Sequence, residues 1–127
     1  MEPIVLLAIY LLLIIGLSLN FKELGLSVTS IGTFLNFLPL LFNNGKMPVS
    51  PNGLISSKLY GQLFLLERNQ ILTHSLMDNN TKLKVLCDII PISAPYPFPK
   101  VISIGDIFIS LGVFILIYTY MTKEINN

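Results

Sequence analysis

Apolar and polar positions alternate along this chain in blocks, and the blocks are long. Pro3 to Phe21 carries no charge over nineteen residues. At about 1.5 Å per helical residue that run measures roughly 28 Å, close to the ~30 Å hydrocarbon core of a bilayer. It lacks the basic start and small-residue exit of a cleaved leader, so a retained spanning helix is expected. Lys22 and Glu23 interrupt, and a second uncharged run follows from Leu24 to Gly45. Ser27, Thr29, Ser30, Thr33 and Asn36 dilute it, a composition that suits helix–helix contact inside a membrane. Pro39 should kink or shorten its far end.

The middle, residues 43–101, is polar. "NNGKMPVSPNG" is dense in turn formers, and Leu54–Leu72 regains helical spacing through Ile55, Leu59, Leu63 and Leu66. Lys58, Gln62, Glu67 and Arg68 break that run, so it predicts an amphipathic helix on the membrane or under the bundle. Pro91, Pro95, Pro97 and Pro99 predict an extended, polyproline-like arm. A last apolar run, from about Ile102 to Met121, is bracketed by Tyr96 and Phe98 on one side and Tyr118 and Tyr120 on the other, as interfacial belts would be. The expected fold is therefore an all-α integral membrane protein. It would have about three transmembrane helices (3–21, 24–42 and 102–121), one or two amphipathic interfacial helices and a proline-rich arm, in one membrane domain over 1–127.

Composition agrees with that pattern. Only 12% of the 127 residues are charged and 53% are hydrophobic, where a soluble domain carries about 25% charged residues. A net charge of +1 leaves no electrostatic case for nucleic acid, so the lipid bilayer is the first partner expected, with homo- or hetero-oligomers through the second helix as a further possibility. Cys87 is the single cysteine, and no ligand spacing indicates a metal or other cofactor. Six Lys and Arg fall in the middle segment against Lys22 and Lys123 outside it, which places 43–101 in the cytoplasm by the positive-inside rule.

Candidate chemistry centres on Asp88 and Asp106. "SIGD", Ser103 to Asp106, is a capping box ahead of an apolar run, and a first-turn carboxylate complements the helix dipole. Asp106 is thus either a cap or half of a catalytic pair with Asp88, which sits in the apolar stretch "VLCDII". A dyad needs both carboxyls close together, so the proline arm would have to fold back. His74, the only histidine, is read as a hydrogen-bonding interfacial side chain, with a metal site completed by Asp88 and Asp106 as the alternative that no HxxxH or HxD spacing supports. Cys87 is expected as a small buried residue, with a nucleophilic Cys87–His74 pair as the alternative. Asn44 and Lys46, in the turn-rich loop, could present backbone N–H groups and a counter-charge to an anionic headgroup, or serve geometry alone.

Four ordered motifs carry a resemblance. Asn44-Gly45-Lys46-Met47-Pro48-Val49, His74, Asp88 to Pro91, and Ser103 to Asp106 resemble an uncharacterised family of small multi-pass bacterial membrane proteins. That resemblance implies a multi-pass protein of a bacterial cell membrane and no known activity, so a structural or accessory role is the first expectation. "VLCDII" and "SIGDIF", with aspartates eighteen residues apart, are also similar to the two aspartate segments of lipoprotein signal peptidases. The second resemblance implies a membrane-embedded aspartyl hydrolase using Asp88 and Asp106.

Overall fold

The computed structural model describes residues 3–93 and 95–126. Helix α1 covers Pro3–Ser18, α2 Leu24–Phe42 and α5 Ile104–Asn126. Between α2 and α5 lie strand β1 (Met47–Val49), short helices α3 (Pro51–Ser56) and α4 (Tyr60–Glu67), strand β2 (His74–Leu76), a 3-10 turn (Lys84–Leu86) and strands β3 (Ile90–Ile92) and β4 (Lys100–Ile102). The described residues are mostly helical with four short strands, so the all-α expectation is corrected. Strands of three residues with a proline in the middle of β1 and β3 leave no alternating pattern to read.

By length and composition α2 and the Ile104–Lys123 part of α5 can each cross a membrane. The first expected span is shorter than its apolar run. Helix α1 stops at Ser18, 16 residues or about 24 Å, because Ser18 and Asn20 turn their side chains back onto the carbonyls of Ile15 and Gly16.

Helix α2 packs on both α1 and α5, and its contact with α5 is the more extensive. Its buried face runs through Gly25, Gly32, Thr33, Asn36, Pro39 and Leu40, at helical spacing. Small residues let the backbones approach closely. A Cβ at Gly32 would meet the Gly105 carbonyl oxygen at 2.5 Å, and one at Gly25 the Leu116 nitrogen at 2.6 Å. The small-residue face of the second helix is thus occupied within the chain by α5. Thr29 and Thr33 donate their hydroxyls to the carbonyls one turn back, Gly25 and Thr29, so these two hydroxyls are satisfied inside their own helix.

The middle segment carries its own apolar core of Val49, Leu54 and Leu66, backed by Leu59, Leu63, Ile71, Leu76 and Val101. The one helix expected over 54–72 is two, broken where Lys58 takes a left-handed φ of 59°. Ser50 caps α3 by accepting from the Gly53 N–H at 3.2 Å, with Pro51 in the first turn. The expected proline arm is instead an antiparallel hairpin, β3 against β4, with Ile90 opposite Ile102 and Ile92 opposite Lys100. A left-handed turn at Asn44 (φ 60°) and Gly45 (φ 78°) closes α2.

Candidate functional site

Backbone pairing builds the site. Strand β1 runs parallel to β2, with Met47 opposite His74, and an isolated parallel bridge joins Val49 to Asp88. Because strand side chains alternate between faces, positions 47, 49, 74 and 88 fall on one face. The Asp88 N–H donates to the Pro48 carbonyl and the Ser50 N–H donates to the Asp88 carbonyl, which fixes residue 88 against β1. His74 and Asp88 therefore meet across β1, with Nε2 3.6 Å from Oδ2. Thr73 Oγ1 lies 2.7 Å from Nδ1 and holds the far side of the ring.

Asp106 arrives from the first turn of α5. Its Oδ2 accepts from the Ser103 N–H at 3.0 Å, and its own N–H donates to Ser103 Oγ at 3.1 Å, so the capping box is formed. Asn36 reaches across from α2 and completes it. Its Nδ2 donates to Asp106 Oδ1 at 2.9 Å, and its Oδ1 accepts from Ser103 Oγ at 2.6 Å. Asn36 and Ser103 are fully buried. Converting Asn36 to Leu takes the donor from Asp106 Oδ1 and the acceptor from the buried Ser103 hydroxyl, at about 1–3 kcal/mol for a buried group left unsatisfied. Thermal unfolding in detergent should show Asn36→Leu losing stability and Asn36→Gln recovering only part of it. An unchanged midpoint in Asn36→Leu would count against this network.

The β3–β4 hairpin carries the chain back from Asp88 to Asp106. Both carboxyls line a cavity of about 260 Å³ between α1, α2 and the small sheet, with Tyr10, Asn36, Thr73 and His74. Burial raises the Asp88 carboxyl from 3.8 to about 7, with the charge of Asp106 adding to the effect. The same burial lowers His74, and Asp106 partly opposes that shift. Both displacements favour a neutral imidazole beside a protonated carboxyl.

Of the residues singled out in the sequence, the fold gathers Asp88, Asp106, His74 and Ser103. Asn44 and Lys46 stand apart. The Gly45 N–H donates to the Leu40 carbonyl and the Lys46 N–H to that of Asn43, so these amides close α2. Cys87 is buried and its thiol is pushed up to about 11, chiefly by burial and secondarily by Asp88, which suits a packed side chain. It belongs with Leu40 and Met47 in an apolar cluster. Among the described residues the ionic partner of Asp88 is His74. Sequence reasoning missed Asn36, Thr73 and Tyr10. An amide in the middle of an apolar run was the one available signal for Asn36. Among the described residues no group of three or more His, Cys, Asp or Glu is placed to hold a metal ion.

Residues 1–118 match the family of unknown function DUF5317. The chain belongs to this family. An uncharacterised protein from Thermotoga maritima is 34% identical over 92 residues, which covers 72% of this chain and 49% of that protein. The chain thus spans about half the length of that relative. No solved structure matches it.

Proposed function

We propose that this member of DUF5317 is a multi-pass membrane protein with an acid–base site, and that the site suits hydrolysis of a membrane-borne substrate. The observation that carries the reading is that Asp88 and Asp106, from opposite ends of the hairpin, line one cavity in unequal environments. Pairs of titratable groups set apart by their surroundings are how one site holds an acid and a base at the same pH. Asp106 accepts hydrogen bonds on both oxygens, whereas burial raises Asp88 to about 7, so that a large share of it holds a proton at neutral pH.

In this scheme a water molecule adds to a carbonyl carbon and passes one proton to Asp106, while Asp88 gives its proton to the carbonyl oxygen. Collapse of the adduct breaks the bond to the leaving group. The leaving group takes the proton from Asp106, and Asp88 recovers one from the adduct hydroxyl. His74 orients Asp88 and is itself held by Thr73. The six Lys and Arg of segment 43–101, against Lys22 and Lys123, support a cytoplasmic placement for this side.

A structural or accessory role is the second reading, and the completeness of the Ser103–Asp106–Asn36 cap favours it. The test is turnover by the chain in nanodiscs on a panel of acyl-ester and peptide substrates anchored by an acyl chain. The hydrolase reading expects turnover that falls at least a hundredfold in both Asp88→Asn and Asp106→Asn, in the range of a lost general acid or base. It also expects a statine-type hydroxyl inhibitor to raise the melting temperature of the parent and not of Asp88→Asn. Turnover or stabilisation that survives in both variants refutes it.

A further inference from the structure

His74 and Asp88 line three cavities, not one. The first is the cavity between α1 and α2. A second, of about 370 Å³, lies over the core of the middle segment beside Gln62 and Lys100. The third, of about 590 Å³, runs along α5 and is lined by Asp88, Asp106, Tyr96, Lys100, Ile109 and Ser110. This third cavity is lined by two chemically distinct kinds of group, a cation and apolar helix side chains. Lys100, on β4, is the only Lys or Arg lining any of the three, and among the described residues it forms no ion pair. Ile109 and Ser110 lie in the second turn of α5, roughly 8–9 Å along the helix from Ile104 and within its apolar span. Asp106 lies between Lys100 and Ile109 along the chain and disfavours an anion at its own position.

We infer that the ligand of this site is an anionic amphiphile that enters beside α5, with its anionic group on Lys100 and its apolar chain against Ile109. The inference rests on the acid–base reading of Asp88 and Asp106 for its chemistry, and on the cavity alone for its binding mode. A wholly soluble anion would leave the apolar lining at Ile109 unfilled. A neutral lipid would leave Lys100 without a counter-charge. At about 590 Å³ the space falls in the usual range for small-molecule sites.

Binding to the intact chain in neutral detergent tests this separately from turnover. The probes are short-chain phosphatidylglycerol and phosphatidylcholine with identical acyl chains, with inorganic phosphate as competitor. Phosphatidylglycerol should bind about fivefold more tightly, the effect of one interfacial lysine on an anionic headgroup. Lys100→Gln should abolish that preference, and Ser110→Phe should weaken both lipids. Both positions are exposed, so the variants should fold. Phosphate should not compete. Equal affinity for the two lipids, a preference that survives Lys100→Gln, or displacement by phosphate alone each overturns the inference. A Lys100-dependent preference without turnover leaves the amphiphile site standing and removes the hydrolase reading. Turnover with no headgroup preference does the reverse.

Discussion

Gly32→Val is expected to abolish the folded protein, leaving a chain that aggregates or melts without a cooperative transition in detergent. A Cβ at position 32 would lie 2.5 Å from the Gly105 carbonyl oxygen and 2.7 Å from the Ile109 nitrogen. Both are backbone atoms inside a helix, so no side-chain rotation relieves the clash. Relief requires α2 and α5 to move apart. Separation would pull Asn36 away from Asp106 and Ser103, whose bonds of 2.6–2.9 Å tolerate little stretching. Overpacking alone costs about 1–3 kcal/mol, and loss of the polar bridge adds about 1–3 kcal/mol for each orphaned group. Against a typical stability of about 5–15 kcal/mol that sum is decisive. Gly16→Val is the matched control, because a Cβ there meets nothing within 4 Å. If Gly32→Val melts like Gly16→Val, the close α2–α5 crossing is wrong.

Asp88→Asn should stabilise the protein at pH 8 and leave it nearly unchanged at pH 4. The Asp88 carboxyl is raised from 3.8 to about 7, so folding favours its protonated form. Its contribution is full below pH 3.8, declines as pH climbs towards 7, and is gone above it. A rise of roughly three units at 1.36 kcal/mol each is on the order of 4 kcal/mol, an upper figure for a residue 7% exposed. Asparagine keeps the shape without the charge. His74 has the opposite sign. Its lowered value means that stability is present above pH 6.5 and lost as pH falls below it. Melting curves from pH 4 to 8 should therefore show a loss on the alkaline side that vanishes in Asp88→Asn, while the acid-side loss remains. A variant that tracks the parent at every pH would mean that Asp88 is solvated in the folded state.

Long-range apolar periodicity made α2 and α5 legible, and α2 begins at Leu24 and ends at Phe42 as read. The Ser103–Asp106 box was legible because its chemistry is local, within four residues. What escaped depends on partners far apart in sequence. The Asn36 bridge spans seventy residues to Asp106. The His74–Asp88 contact arises from two parallel pairings to β1, each only a few residues long. The prolines of 91–99 argued for a straight arm, yet three-residue strands and a turn suffice to reverse the chain. The apolar flanks of Asp88 in "VLCDII" are a local signal for burial, whereas nothing local identifies His74 as its partner.

The Asn36 amide also has a mechanical consequence. It holds the N-terminus of α5 to the far half of α2, while Gly25 and Gly112 hold them at the opposite end of the crossing. Two such points forbid the helices to slide past each other by a turn. On the membrane-spanning reading proposed above, a bilayer thinner or thicker than the apolar length of the pair would be met by tilting of both helices as one body. The spacing of the carboxyl of Asp106 from α2 would then stay fixed whatever the tilt of the pair.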